Sequence, residues 1–534
     1  MLFHTAYFYD LTLNKIKVMK KFLLILTFVF SIGFIDGQTT FFKTIGGYNE
    51  FSNCVEQTSD GGYMLVGSSE SPTSLNGYLI KTNSSGDTLW TKLYGNEAQL
   101  VMGKQTSDGG YILTGEIKNT STLDLDIYVV KTDSIGNSSW QKIIATINDD
   151  ESYDVKQTSD GGYIILGYGT RTGGSTSDIF VIKLDSSGNL DWKKFYGSNT
   201  EYEYGYSIIQ TADGGYMICG DSYEMSSGYR GYILKIGSSG TYYWSKIFDG
   251  SSHDRSTRIL QTTDYGYIIL GTRGSGSGSN DMCILRTNSS GNPIWGKTYF
   301  GTYGDCSWSI NKTNAGNYII STSSLYTTSM QQVLFVLVDS LGTEIWNRSF
   351  NDYTGAPQLS TGSSAIETSD GGFIFTGSSI TASIGGYMYF IKTDSTGSNS
   401  CESTLPLTPG TYFPTVITPS NTVGSGGTIS TILIPETNRA NPLINQCLSV
   451  SINELPPTQQ ISVYPNPSSG QFNFSGIEIE SKIEVFDMIG KVIYQSIANS
   501  NFETINIFDK ATGIYFYRIT KELKLVQSGK ICVQ

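Results

Sequence analysis

QTSDGGY, residues 57–63, decides the fold, because the phrase returns in full or decayed form six more times in this 534-residue chain. The later copies begin at Gln105, Gln157, Gln210, Gln261, Lys312 and Glu367, at steps of 48, 52, 53, 51, 51 and 55 residues. Each is followed by an apolar strand, a Ser/Thr/Gly loop, a second apolar strand such as DIFVIK (178–183), and a turn such as DSSGN ahead of a tryptophan. Trp90, Trp140, Trp192, Trp244, Trp295 and Trp346 each stand four residues after the turn glycine. Apolar residues alternating with small or polar ones between glycine turns predict four short strands per unit. Four antiparallel strands in about fifty residues make one propeller blade.

The chain ends argue against the rival reading, an open solenoid. In the seventh unit Cys401 stands where the tryptophan belongs, and the outer strand is missing. TFFKTIG (40–46) matches LWTKLYG (89–95), with Phe41 in the tryptophan position. The predicted fold is all-β: a seven-bladed β-propeller over 38–400, closed by the N-terminal strand so that no sheet edge stays free. A Pro/Thr/Gly-rich linker over 401–457 and a small C-terminal β-sandwich over 458–534 follow.

Sixty glycines, 35 tyrosines and only 15% charged residues suit a rigid, exposed object. The net charge of −12 excludes a broad electrostatic hold on nucleic acid. The recurrent cations are single residues ending the third strand, Lys81, Lys131, Lys183, Lys235, Arg286 and Lys392, and are expected to pair locally beside the turn that follows. Residues 1–37 read as leader and signal peptide: Met19 is the expected true start of MKKFLLILTFVFSIGFIDGQ, with cleavage before Gln38. The apolar run from Phe22 to Phe30 is too short to span a bilayer, so no transmembrane segment is expected in the mature chain. Cys54, Cys219, Cys283 and Cys306 fall in predicted strands as small core residues, without zinc-site spacing. Cys401 and Cys447 bracket the linker; a disulfide there would contribute about 4 kcal/mol on the chain-entropy model.

Beyond the linker, ISVYPNPSSGQFNFSG (461–476), IEVFDMIGKVIYQ (483–495) and ATGIYFYRI (511–519) read as six or seven short strands with Tyr and Val in the core of a sandwich. Pro465, Asn466, Pro467 and Gly470, then Asp487 and Gly490, then Gly513 and Tyr515 carry a resemblance to the type A C-terminal sorting domain of type IX secretion. The resemblance implies passage across the outer membrane, with the secretion machinery as partner, and makes these residues an address rather than an active site. The repeats likewise resemble QTSDGGY propeller repeats of bacterial surface proteins with this tail, which implies a fold and a location but no activity.

Catalysis finds little support. Of two histidines, His4 lies in the leader and His253 lacks a nucleophile in a signature context. The turn DSSGNLDW (185–192) resembles the Asp box of sialidases and the quinoprotein-type repeat. Its aspartate, however, is replaced by Asn83, Gly237 and Asn288 elsewhere, which marks turn chemistry. No enzyme activity is therefore expected.

Binding fits better. The two short motif turns, SDGG and DSSG, belong on one face and the variable loops on the other, where function is expected. Tyr202, Tyr204, Tyr223, Tyr229, His253, Arg255 and Tyr303 are the candidate ligand residues, since aromatic faces with polar rims suit sugars. The alternative for each tyrosine is inter-blade packing.

Glu50, Asp150, Glu203, Asp254 and Asp305 lie seven residues before the repeat's first residue, with Glu97 displaced by one. They could ring a channel mouth and hold Ca²⁺, the one candidate cofactor; the alternative is that each acid caps its own turn. The expected function is an exported, cell-surface or secreted binding or scaffold module for glycans or surface polymers. The alternatives are a polysaccharide-degrading propeller enzyme and a purely structural surface component.

Overall fold

The computed structural model describes residues 38–533 apart from 47–48, 72–73, 147, 172–173, 175, 199, 251–253, 275–279, 301–304, 328–329, 351–358, 382–384, 400–401, 404–407, 412–413, 418, 420–421, 425–427, 433–436, 439–442, 446–460, 467, 488–490 and 522–523. The leader, His253, Tyr303, the Cys401–Cys447 pair, Pro467 and Gly490 therefore lie outside the described residues. The regular structure of the described residues is all β, in two units that divide at residues 448 and 449. No helix among them is long and apolar enough to cross a membrane.

The first unit holds seven blade-like antiparallel sheets. Sheet one runs Asn49–Gln57, Tyr63–Ser71, Ser74–Thr82 and Thr88–Tyr94, in sequence order. Sheets two to six repeat this plan within 98–145, 151–197, 202–249, 255–300 and 305–350. In sheet seven, Leu359–Glu367, Phe373–Thr381 and Gly385–Thr393 take their fourth strand from the other chain end: Phe41–Ile45 pairs with Gly385–Thr393, Phe41 opposite Lys392 and Ile45 opposite Met388.

Each sheet has five strands rather than the four expected. The fifth comes from the stretch read as a linker. Glu402–Ser403 pairs with sheet six, Thr408–Thr411 with five, Thr415–Ile417 with four, Thr422–Gly424 with three, Thr428–Ile432 with two, Thr437–Asn438 with one and Leu443–Asn445 with the Phe41 strand of seven. The chain thus runs back past the outer strand of every sheet in reverse order. Outer strands would otherwise present unpaired backbone groups, and short Thr-rich segments meet that need through main-chain bonds alone.

The repeat phrase is folding chemistry throughout. Thr58 Oγ1 donates to Asp60 Oδ1 at 2.5 Å, and the same oxygen accepts from the Gly62 amide at 3.0 Å, closing the turn. Gly61 has φ +80°, and a side chain on Gly62 would run into the Thr82 carbonyl. The leading glutamine reaches the neighbouring sheet: Gln105 Oε1 accepts from Ser59 N at 2.7 Å, Gln157 from Ser107 at 2.8 Å, and Gln57 from Ser369 of sheet seven at 2.7 Å. The closing tyrosine meets the preceding sheet's aromatic edge-on, as in Trp90–Tyr111, Trp140–Tyr163 and Phe41–Tyr63, at 5.9, 5.7 and 6.3 Å.

The recurrent cations pair differently from the expectation. Lys81 binds Asp60, Lys131 binds Asp108, Lys183 binds Asp160, Lys235 binds Asp213, Arg286 binds Asp264 and Lys392 binds Asp370. The shared partner is the aspartate of the repeat phrase; among the described residues Lys183 alone also reaches an acid beside the following turn, Asp191 at 3.4 Å, as expected. Strand register places Lys81 opposite Met64, next to that turn, so the pairing runs across the sheet rather than along the chain.

The second unit has a three-stranded sheet (Ser462–Tyr464, Gln471–Ser475, Phe502–Asn506) and a four-stranded sheet (Val492–Ile497, Lys482–Phe486, Gly513–Lys521, Lys524–Val533). Phe472, Phe474 and Ile505 of the first share a core with Ile483, Val485, Tyr515, Tyr517, Ile519 and Ile531 of the second. Two sheets over one core make a sandwich, and its filling is isoleucine and phenylalanine more than the expected valine. Asn466 ties the terminal strand, donating to Lys530 O at 2.8 Å and accepting from Cys532 N at 2.9 Å. Asp487 Oδ1 accepts from Lys491 N at 2.9 Å, and Tyr515 donates to Ala511 O at 2.7 Å. Gly470 sits at φ +110°, where a β-carbon would run into the Phe508 backbone, while a β-carbon on Gly513 would meet open space. Pro465 follows Tyr464 at the end of the first strand.

Candidate functional site

Every first strand of the seven sheets carries a bulge at one place, four residues before the repeat's first residue. The bulged residues are Asn53, Val101, Tyr153, Tyr206, Thr257, Trp308 and Ser363. A bulge leaves its residue unpaired and re-aims the side chain. In sheets three and four this brings two tyrosines that were not candidates beside the expected ones.

The result is a circuit. Tyr153 stacks on Tyr168 at 5.7 Å, and Tyr168 meets Tyr204 edge-on at 4.7 Å. Tyr204 lies 6.5 Å from Tyr202, Tyr202 6.1 Å from Tyr223, and Tyr223 4.7 Å from Tyr229. The Arg255 guanidinium sits 4.9 Å from the Tyr229 ring and 5.5 Å from that of Tyr206, which returns to Tyr153 at 5.1 Å. Of the expected ligand residues, Tyr202, Tyr204, Tyr223, Tyr229 and Arg255 are thus brought together. Tyr153, Tyr168 and Tyr206 were missed, although the first and last share one position of the repeat. All seven tyrosines are only part-buried, and the Arg255 side chain is 43% exposed.

Arginine is fixed from below. Its Nε donates to Asp221 Oδ2 at 2.6 Å and its NH2 to the Tyr206 hydroxyl at 2.7 Å, while Asp221 Oδ1 accepts from Ser256 N at 3.0 Å. Burial pushes the Asp221 carboxyl up to about 6, with Arg255 pulling against it, so the pair is charged at neutral pH. Burial likewise raises the Tyr204 phenol to about 12 and those of Tyr153, Tyr168 and Tyr206 further. The hydroxyls therefore stay protonated and able to donate. Tyr153 donates to Glu151 Oε2 at 2.7 Å. Burial first and the Glu151 charge second lift the buried Glu116 to about 7.

The acidic set is placed differently. Glu50, Asp150, Glu203 and Asp254 are all 2% exposed or less. Asp150 accepts from Thr146 N and Oγ1 at 2.5 and 2.7 Å, Glu203 from Ser198 N at 3.1 Å and Asp254 from Gly250 N at 2.8 Å. Each closes the loop that enters its own sheet. Glu50 accepts from Ser69 at 3.4 Å, Glu97 holds a left-handed turn at φ +59°, and Asp305 begins the first strand of sheet six. No group of three or more His, Cys, Asp or Glu able to hold a metal occurs among the described residues. Cys54, Cys219 and Cys283 are free and buried, and Cys532 is free and half-buried.

Comparison with known proteins assigns the second unit. Residues 462–534 match the model of the secretion system C-terminal sorting domain, here of the type IX route, which supports secretion across the outer membrane. No curated protein matches the chain. Among solved structures, a puromycin hydrolase is 10% identical over 80% of this chain, with a TM-score of 0.43; the chain spans 58% of that protein's length. The β-1,2-mannobiose phosphorylase of Listeria innocua is 10% identical over 68% of this chain and 96% of its own, with a TM-score of 0.29. PorZ, an essential surface component of the type IX secretion system of Porphyromonas gingivalis, is 8% identical over 92% of this chain and 100% of its own, with a TM-score of 0.14. At these scores none bears on activity.

Proposed function

We propose that the chain is an exported β-propeller of seven blades, closed by its N-terminal strand, that binds glycans or related surface polymers and is delivered by its sorting domain to the cell surface or beyond. The tyrosine circuit carries this reading. Part-exposed phenol rings offer stacking faces for pyranose C–H bonds, while protonated hydroxyls and a fixed guanidinium meet the sugar's oxygens. Support for seven blades and closure comes from the Gln57–Ser369 bond and the Phe41–Ile45 pairing, which join the first and last repeats as neighbours elsewhere are joined. Recognition by the type IX machinery rests on the second unit alone.

A second reading, polysaccharide hydrolysis, draws on Glu116, held near neutrality beside Glu151. A glycan array probed with the mature chain separates the two. Retention without product favours the binder, product release favours the hydrolase, and silence on every glycan removes both.

A further inference from the structure

A cavity of about 120 Å³ lies among the first strands of all seven sheets, room for several waters at about 30 Å³ each. Its charged lining is Lys104, Lys156, Arg258 and Asp154, and serine hydroxyls and asparagine amides supply much of the rest.

The carboxylates nearby are already committed. Asp154 Oδ1 holds Lys156 at 2.5 Å, and its Oδ2 accepts from Ser207 Oγ at 3.3 Å and Ile208 N at 3.0 Å. Glu56 Oε1 holds Lys104 at 3.2 Å, and its Oε2 accepts from Gln105 N at 2.9 Å. Arg258 has no carboxylate partner among the described residues; it donates to the main-chain carbonyls of Tyr206 at 3.3 Å and Thr257 at 2.8 Å. Three cations thus face two carboxylates, with a guanidinium in surplus, inside a chain whose net charge is −12. An uncompensated cation in a part-buried polar cavity is costly unless an anion joins it.

We propose that this cavity binds a compact oxyanion, a sulfate or phosphate group, either as the free ion or at the end of a surface polymer. The planar guanidinium fork suits tetrahedral oxyanions; Asn53 and Asn311, which each donate one amide proton to the Leu100 and Ala365 carbonyls at 2.8 Å, keep a second proton for the anion. The site shares no side chain with the tyrosine circuit, although Arg258 bonds the Tyr206 carbonyl and Asp154 and Ser207 follow Tyr153 and Tyr206 in the chain; it does not rest on the glycan reading.

The test is calorimetric titration of the mature full-length chain with sodium sulfate and then sodium phosphate, at ionic strength held constant with chloride. Saturable binding near one site per chain is expected. Arg258→Gln should weaken it by at least about tenfold, the worth of one charge-assisted hydrogen bond, while leaving the circular dichroism unchanged. Should Arg258→Gln fail to fold, Arg258→Lys, which keeps the charge but loses the fork, serves instead and should also weaken binding. A sulfated oligosaccharide that binds more tightly than inorganic sulfate identifies a polymer end as the ligand; equal or weaker binding identifies the free ion. No saturable binding by the wild type, or equal affinity in the variants, overturns the proposal.

Discussion

The Phe41 ring lies against Gly86 so closely that a β-carbon on that glycine would stand 2.6 Å from it. The same relationship joins Trp90 to Gly136 and Trp140 to Gly188 at 2.7 Å, and Trp346 to Gly397 at 2.9 Å. In each case the aromatic of one sheet fills the space beneath the turn glycine of the next, and Gly86, at φ +76°, tolerates no side chain there. Two residues on, Lys43 donates to Ser85 O and Asp87 at 2.7 Å, as Lys92 donates to Asn137 at 3.0 Å across the first seam. The seam made by the N-terminal strand is built like the others.

Phe41→Ala is therefore expected to destabilise the first unit by about 2–3 kcal/mol, below the value for a fully buried phenylalanine because this ring is part-buried. Phe41→Trp, which restores the residue used at the other seams, should cost less than about 1.5 kcal/mol. Urea denaturation of the mature chain measures both. An unchanged midpoint for Phe41→Ala would mean the seam bears no load.

Gly62→Ala puts a β-carbon into the Thr82 carbonyl and the Lys81 ammonium. A loss of roughly 2 kcal/mol or more is expected, since neither strand can shift without breaking its ladder. Gly513→Ala, facing open space in the second unit, should change stability by less than about 0.5 kcal/mol. Thermal unfolding of the two variants side by side gives the contrast.

Stability should fall as pH rises from about 4 to about 8. Burial lifts Glu203 to about 8, with the Asp178 charge adding to it, and lifts Asp150 to about 7 against the bonds from Thr146. These folded-state carboxyls keep protons that the unfolded chain releases near pH 4, so their contribution is complete below that pH and is lost through the folded values. On the acid side, Asp60, Asp108, Asp160 and Asp213 stand near 2: partial burial opposes ionisation, but bonds from the paired lysine, the turn threonine and the glycine amide outweigh it. Their contribution is lost as pH falls from about 4 toward 2. Urea midpoints at fixed salt should be higher at pH 5 than at pH 8.5, and Glu203→Gln should flatten the difference. A midpoint that rises across that interval would contradict the assignment.

Side-chain spacing is written in a sequence, whereas strand pairing is not. Phe41 could be placed because TFFKTIG repeats the spacing of LWTKLYG, and side-chain spacing survives in sequence. The bulge could not, because Tyr153 and Tyr206 continue the alternation of their strands, and only pairing partners show that one residue is skipped. The outer strands of 402–445 carry no apolar period, since an edge strand is held by main-chain bonds. The lysine partners were misjudged because the nearest acids in sequence are not the nearest across the sheet.

The outer strands give a further expectation. Ser430→Pro, in the strand opposite Gln141–Ala145, removes an amide donor and should speed hydrogen exchange across 141–145 while leaving Tyr111–Lys118 of the same sheet protected. Mass-spectrometric exchange resolves the two segments. Equal protection with and without the substitution would mean the strand at Thr428–Ile432 does not cover that edge.

The most direct measurement is glycan-array retention of the mature chain beside Arg255→Ala and the double variant Tyr153→Ala/Tyr206→Ala, with thermal unfolding of all three. The wild type is expected to be retained on particular glycans and both variants to lose at least about tenfold of that affinity, as truncation of a central aromatic or arginine does at other interfaces, with their folds intact. Equal retention by all three proteins, or no retention by the wild type, would contradict it.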